Sequence, residues 1–229
     1  MAVVVESKSK TGTATSQWTS VFKTETITTP KQSLDFMRKF AAVGISTILY
    51  LRTNLPDDTF SVKPLDGIRV SMLTPSHPRA KEICEAVQNG MKSLKEGYLR
   101  EFWILFYPNS TSDDIIESHK FSFTEPQKSG ESRGSGDDAK TNTMVKKATL
   151  KMLRNMATYN QACLNLPDGA SMGFRLIYSD ETPKDYNPPG FVTLSPNAFQ
   201  MKYLDGTDPK SFRIGDIATS FHRVDVEMK

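Results

Sequence analysis

The stretch Met172-Gly-Phe-Arg-Leu-Ile-Tyr178, followed at once by Ser179-Asp-Glu-Thr-Pro-Lys-Asp-Tyr-Asn-Pro-Pro-Gly-Phe191, decides how this chain is read. Its first half is strand-like, and a strand from Ser171 to Tyr178 is expected. Its second half places proline at 183, 188 and 189, which removes backbone donors and fixes φ, so the segment neither continues a helix nor lies inside a central strand. It reads as a tether. Tyr186 and Phe191 are large anchors spaced along it, which predicts a strap laid across the protein surface. A strap that crosses a domain can clamp something beneath it.

Upstream of this stretch the chain opens with a polar arm rich in Ser, Thr and Lys, expected to be mostly disordered over 1–28. Its large apolar residues, Trp18, Val21 and Phe22, are candidates for docking or for a short strand. Thr29-Pro30 then reads as a helix cap followed by proline in the first turn. Leu34, Met37, Phe40, Ala41, Ile45, Ile48 and Leu49 recur near a 3.6 spacing, predicting a buried central helix over 30–52. Gly67 to Met72 alternates as a half-buried strand does. Ser76-His77-Pro78 opens a second helix carrying Ile83, Val87, Met91, Leu94 and Tyr98.

The run Glu101-Phe-Trp-Ile-Leu-Phe-Tyr107 is continuously apolar after its leading glutamate and predicts a strand buried on both faces. His119, Phe121 and Phe123 alternate with polar residues and form its antiparallel partner. Residues 125–139, with three glycines and little apolar content, read as a disordered loop. A third helix over 139–164 carries Val145, Ala148, Met152, Met156, Tyr159 and Cys163 on one face. Lys146, Lys147, Lys151 and Arg154 point elsewhere. Within the strap, which runs from Ser179 to Lys229, Phe191–Leu194, Phe199–Tyr203 and Ile217–Val224 look like strand pieces that pair with a sheet edge. The order predicts an α+β fold, three helices packed on an antiparallel sheet, in one domain.

Composition narrows the function. The net charge of +3 over 229 residues is low for a module that lives by neutralising phosphates. Cys84 and Cys163 fall on helix faces and are expected to be reduced core residues. No stretch approaches the roughly 18 apolar residues that span a bilayer, so a soluble intracellular chain with no membrane partner is expected. His77, His119 and His222 are too scattered for a metal site, and no cofactor is expected. There is no P-loop, no dinucleotide fingerprint and no nucleophile elbow. Asp113, Asp114 and His119 lie near a turn without a nucleophile, base and oxyanion donors around them, which argues against an enzyme.

A family resemblance rests on specific blocks: Tyr50-Leu-Arg52, Tyr98-Leu-Arg100, Tyr178-Ser-Asp-Glu181, Asp185-Tyr-Asn-Pro-Pro-Gly-Phe191 and Gly215-Asp-Ile-Ala-Thr-Ser-Phe-His222. In combination, over about Thr28 to Val226, the chain resembles meiotic chromosome-axis HORMA-domain proteins, nematode-like members included. The resemblance implies a core over 29–178 and a C-terminal "safety belt" over 179–229. It also implies a peptide-binding edge strand, Ser171, Met172, Gly173, Phe174, Arg175, Leu176, Ile177 and Tyr178. A partner's "closure motif" adds to that strand as a further strand, under a belt held by Tyr186, Pro188, Pro189, Gly190, Phe191, Phe221 and His222. Implied partners are closure-motif peptides of other axis or HORMA proteins, and synaptonemal-complex proteins. The implied role is axis assembly, homologue pairing, synapsis and recombination control on meiotic chromosomes in the nucleus. The rival reading is a DNA- or acidic-protein-binding module that uses the basic helix face of Lys146, Lys147, Lys151 and Arg154.

Overall fold

The structure is a computed structural model that describes residues 14–22, 26–125, 136–194, 201–204, 206 and 209–229. Its elements run α1 (Ala14–Phe22), α2 (Pro30–Arg52), β1 (Phe60–Leu65), β2 (Ile68–Leu73), α3 (Pro78–Lys95), β3 (Leu99–Tyr107), β4 (Glu117–Thr124), α4 (Gly136–Ala162), β5 (Ser171–Tyr178), β6 (Phe212–Ala218) and β7 (Arg223–Met228). Among the described residues five strands form one antiparallel sheet in the order β5-β3-β4-β7-β6, and β1 and β2 form a separate hairpin.

Helix α2 is the centre of the core, as its apolar circumference predicts. It starts where Thr29 accepts a hydrogen bond from Gln32 N while the Gln32 side chain returns to Thr29 N, a closed capping box with Pro30 in the first turn. Every residue from Val43 to Leu49 is buried, so no face of that turn meets water. Phe36 and Phe40 of α2 and Phe102, Phe106 and Phe121 of the sheet are fully buried in one continuous core. Gly44 lets α2 lie against β4, since a Cβ there would stand 3.0 Å from the Phe121 ring. On α4, Val145, Met152 and Met156 are buried, so its methionine face is core, whereas Tyr159 is largely exposed.

Several expectations change. The arm expected as disordered contributes a fourth helix, α1, because Trp18, Val21 and Phe22 are all buried, with Trp18 stacked on Phe36 and tilted against Phe22. Residues 1–13 and 23–25 of that arm lie outside the described residues, as do 126–135 of the expected loop, and α4 begins inside that loop at Gly136. The hairpin partner β1 escaped sequence reading because Pro64 interrupts it. Proline is tolerated there because β1 pairs on one side only, with β2. Ile217–Val224 is two strand ends joined by a turn, in which the Thr219 side chain accepts from Phe221 N and His222 N. Phe191–Leu194 is not a strand. Of Phe199–Tyr203, residues 199 and 200 lie outside the described residues, and Tyr203 makes one parallel bridge to Ile115. The two cysteines are free and only partly buried.

His119, a candidate in the sequence, is fully buried and structural. Its Nε2 lies 2.8 Å from Glu117 Oε1, Arg52 Nε donates to the same oxygen at 2.9 Å, and Arg52 also holds Leu164 O. Burial opposes the charge on Glu117, but the hydrogen bonds from His119 and Arg52 outweigh it and hold its pKa below the usual value. Asp114 is paired with Lys202 at 2.8 Å. Among the described residues no group of three or more His, Cys, Asp or Glu is placed to hold a metal, and no helix is long and apolar enough to cross a membrane.

Candidate functional site

A five-stranded open sheet has two edges, and here they differ. At β6 the edge is blunted: a bulge falls between Arg213 and Gly215, α4 packs alongside, and Asn155 Nδ2 donates to Ile214 O at 2.9 Å. At β5 the inner side pairs with β3 over Leu99–Tyr107, and among the described residues no strand lies on the outer side. All eight of its residues, Ser171 to Tyr178, are neither fully buried nor fully exposed. Its free N–H and C=O groups are a template for another strand.

The strap starts at that edge. Ser179 N donates to Tyr98 O at 2.8 Å, so the chain leaves β5 still held to the start of β3. Prolines then break the ladder, and short turns take over, with Tyr186 N donating to Pro183 O and Phe191 N to Pro188 O. Tyr186 is the main anchor. Its ring meets Tyr98 and Tyr178 edge-on at 4.8 and 5.5 Å, and its hydroxyl donates to Ser93 Oγ at 2.9 Å. Burial first, and then the Glu96 carboxylate, push its pKa up to about 12, so it remains a donor across the physiological range.

Next along the strap, Pro188 is buried and Asn89 Nδ2 of α3 holds Pro189 O at 3.0 Å. Gly190, at φ 84°, turns the chain where an L side chain is disfavoured. Between β5 and this arch lies a cavity of about 630 Å³, walled by Phe174, Leu176 and Tyr178 on one side and Tyr186, Phe191 and Leu194 on the other. Val192 is exposed at its rim.

Farther on, the strap crosses the sheet face opposite the helices. Ile115 N donates to Lys202 O at 2.7 Å, and the buried Tyr203 hydroxyl meets Ser118 Oγ at 2.8 Å, covering Leu105. The chain then forms β6 and β7 against β4, on the far side of the sheet from where it began. Phe221 and His222 lie in the β6–β7 turn, so the structure separates them from Tyr186 and Phe191. His222 Nδ1 lies 2.8 Å from Ser33 Oγ, itself 2.6 Å from Thr219 Oγ1, which fastens the turn to the first residues of α2. Burial pulls the His222 pKa down.

The basic helix face lies apart from all of this. Lys146 sits over the Trp18 ring at 5.4 Å, and Arg154 reaches Asp66 O, while Lys147 and Lys151 face solvent one turn apart. Sequence reasoning missed Ser93, Asn89 and Tyr98 as partners of the strap. Only the Tyr98-Leu-Arg100 block flagged one of them.

An antiparallel sheet with one open edge, spanned by a strap that ends as a hairpin on the opposite edge, defines a strap-closed sheet domain. The HORMA domain profile matches residues 33–222, and this chain belongs to the HORMA domain family. It is 29% identical over 205 residues to HORMA domain-containing protein 1 of Rattus norvegicus, covering 86% of this chain and 51% of that protein. The chain thus spans about half the length of such curated relatives. Among solved structures it is similar to C. elegans HTP-2 bound to HTP-3 closure motif 1, with a TM-score of 0.78 at 20% identity, over 97% of this chain and 95% of that one. It is also similar to C. elegans HTP-2 bound to a HIM-3 closure motif, with a TM-score of 0.77 at 20% identity over 93% and 95%. At such identity the likeness is one of fold.

Proposed function

We propose that this chain is a peptide-binding adaptor of the meiotic chromosome axis. It takes a short extended closure motif from another axis or HORMA protein along the outer edge of β5, with residues 29–178 as the core and 179–229 as the belt that wraps the motif. The observation that carries this reading is the cavity between the unpaired edge of β5 and the arch held by Tyr186. Strand addition supplies main-chain hydrogen bonds, and the side chains at alternate positions supply specificity. A peptide beneath the arch leaves only when the strap opens locally, so dissociation is slow. Tyr186, Pro188, Pro189, Gly190 and Phe191 form the arch, while Phe221 and His222 fasten its far end to α2. Structural neighbours solved with HTP-3 and HIM-3 motifs support the same occupant here. Axis assembly, homologue pairing, synapsis and recombination control in the nucleus follow as the downstream roles.

The test is fluorescence-anisotropy binding of closure-motif peptides at low and high salt. Saturable, slowly dissociating binding that tolerates salt is expected, since strand addition releases few counterions. The basic-face reading has Lys147 and Lys151 in its favour, because both are free of the core. Absent peptide binding together with DNA binding that falls steeply with salt would establish that reading instead.

A further inference from the structure

The trench beside β5 does not end at the arch. Ala86, Phe174 and Gly190 line both the 630 Å³ cavity and an adjoining groove of about 380 Å³ between α3 and β5. That groove shares Arg79, Ile83 and Met172 with a third, of about 420 Å³, which continues past Ser171 to Leu55. One path therefore runs the length of β5, from Ser171 to Tyr178, about 26 Å at the rise of a strand.

The two sides of this path differ in chemistry. On the helix side Met172, Phe174 and Leu176 stand opposite Phe106, Ile104 and Phe102 in the β3 register, and Ile83 and Ala86 of α3 complete an apolar wall. The acidic groups on that side are already matched, Glu82 with Arg79 at 3.1 Å and Glu85 with Lys81 at 4.0 Å. Arg175 stands opposite Trp103, on the sheet's other face. The charged residues lining the large cavity are Arg175 and Lys184, both cations. Arg175 also engages groups of the chain itself.

A strand added at β5 sends successive side chains to opposite faces of the sheet. We propose that the peptide this site selects alternates apolar side chains, which enter the helix-side groove, with carboxylate side chains, which meet Arg175 and Lys184. This inference rests on the reading of β5 as a peptide-accepting edge and adds the chemical pattern of what it accepts.

The experiment uses the full chain and four fluorescein-labelled peptides in anisotropy titrations: alternating Val and Glu, alternating Val and Lys, Val and Glu in two separate blocks, and an HTP-3 closure motif. The Val/Glu alternation is expected to bind about fivefold or more tightly than either of the other designed peptides, as one or two exposed charge pairs provide. In an Arg175→Glu, Lys184→Glu double variant the preference between the Glu and Lys peptides should reverse. Equal affinity for the Glu and Lys alternations in the native chain, or equal affinity for the block peptide, overturns the inference. So does binding of the closure motif alone, an outcome that leaves the edge-and-strap reading standing. Absence of binding by all four peptides overturns both.

Discussion

The Tyr186 hydroxyl, near the start of the strap, donates to Ser93 Oγ in the last turn of α3 across 93 residues of chain, at 2.9 Å. Together with the edge-on contacts to Tyr98 and Tyr178, this bond ties the strap to α3, to β5 and to the entry of β3 at one point. Nothing resembling a strand ladder holds the segment between Tyr178 and Leu194. Its stability therefore resides in a few side chains, which is the condition for a segment that opens while the core stays folded.

Replacing Tyr186 separates these contributions. Tyr186→Phe removes one hydrogen bond and should cost about 1 kcal/mol. Tyr186→Ala also removes the ring contacts and should speed release of a bound peptide about tenfold or more, with the thermal transition of the core nearly unchanged. Stopped-flow displacement of labelled peptide measures the release. Native rates in both Tyr186→Ala and Phe191→Ala would contradict the role given to the strap.

Helix α1 should prove part of the core. Trp18 is 2% exposed, between Phe22, Phe36 and Lys146. Trp18→Ala should lower stability by about 3–5 kcal/mol, read as a shift of the urea midpoint. A loss below about 0.5 kcal/mol, the level of an ordinary surface substitution, would mean that the helix is not docked in solution.

Gly90 sets how closely α3 approaches the sheet. A Cβ there would stand 2.8 Å from Phe102 Cε2 and 3.3 Å from Leu176 Cδ2. Alanine is the better helix former by up to about 1 kcal/mol, yet Phe102 is fully buried and has no room to move. Gly90→Ala should therefore destabilise, by about 1–3 kcal/mol. The displaced Leu176 side chain should weaken peptide binding at β5 as well. A stabilised variant in urea titration would show that propensity wins.

Acid should loosen the strap's far end. In the folded chain burial lowers the His222 pKa below its ordinary 6.5, so between the two values the unfolded chain binds the proton more readily. Stability from this site is present above the ordinary value and is lost as pH falls through it toward the folded value. Glu117, held below its ordinary 4.5, acts in the same sense at lower pH: its contribution is present above 4.5 and lost as pH falls through the folded value. His222→Gln should flatten the stability profile on the acid side of pH 6.5 and leave in place the loss at lower pH to which Glu117 contributes. An unchanged profile in urea midpoints taken across that range would remove His222 from this role.

Much of the fold was legible because it obeys local rules. The capping box at Thr29 marks where α2 begins, the apolar circumference of α2 marks it as central, and the period-two pattern of His119, Phe121 and Phe123 marks β4. Helix α1 was not legible. Trp18, Val21 and Phe22 do stand at i, i+3 and i+4, but one turn of that pattern in a polar arm is too short to predict a helix, and their burial depends on a surface built by α2 and β1. The site was legible in part, since prolines 183, 188 and 189 exclude helix and inner strand whatever surrounds them.

By itself, the sequence determined that a strand ends at Tyr178 and that a proline-bound strap follows, because the ring of proline and its missing N–H act locally. Tertiary structure alone decided what the strap crosses and where it is held. The partners of Tyr186 and of the strap's Pro189 carbonyl, Ser93, Tyr98 and Asn89, lie about ninety residues away. The hairpin that ends the strap joins β4 rather than the free edge of β5. Such contacts follow from which surfaces the packed core brings together, and no local pattern encodes them.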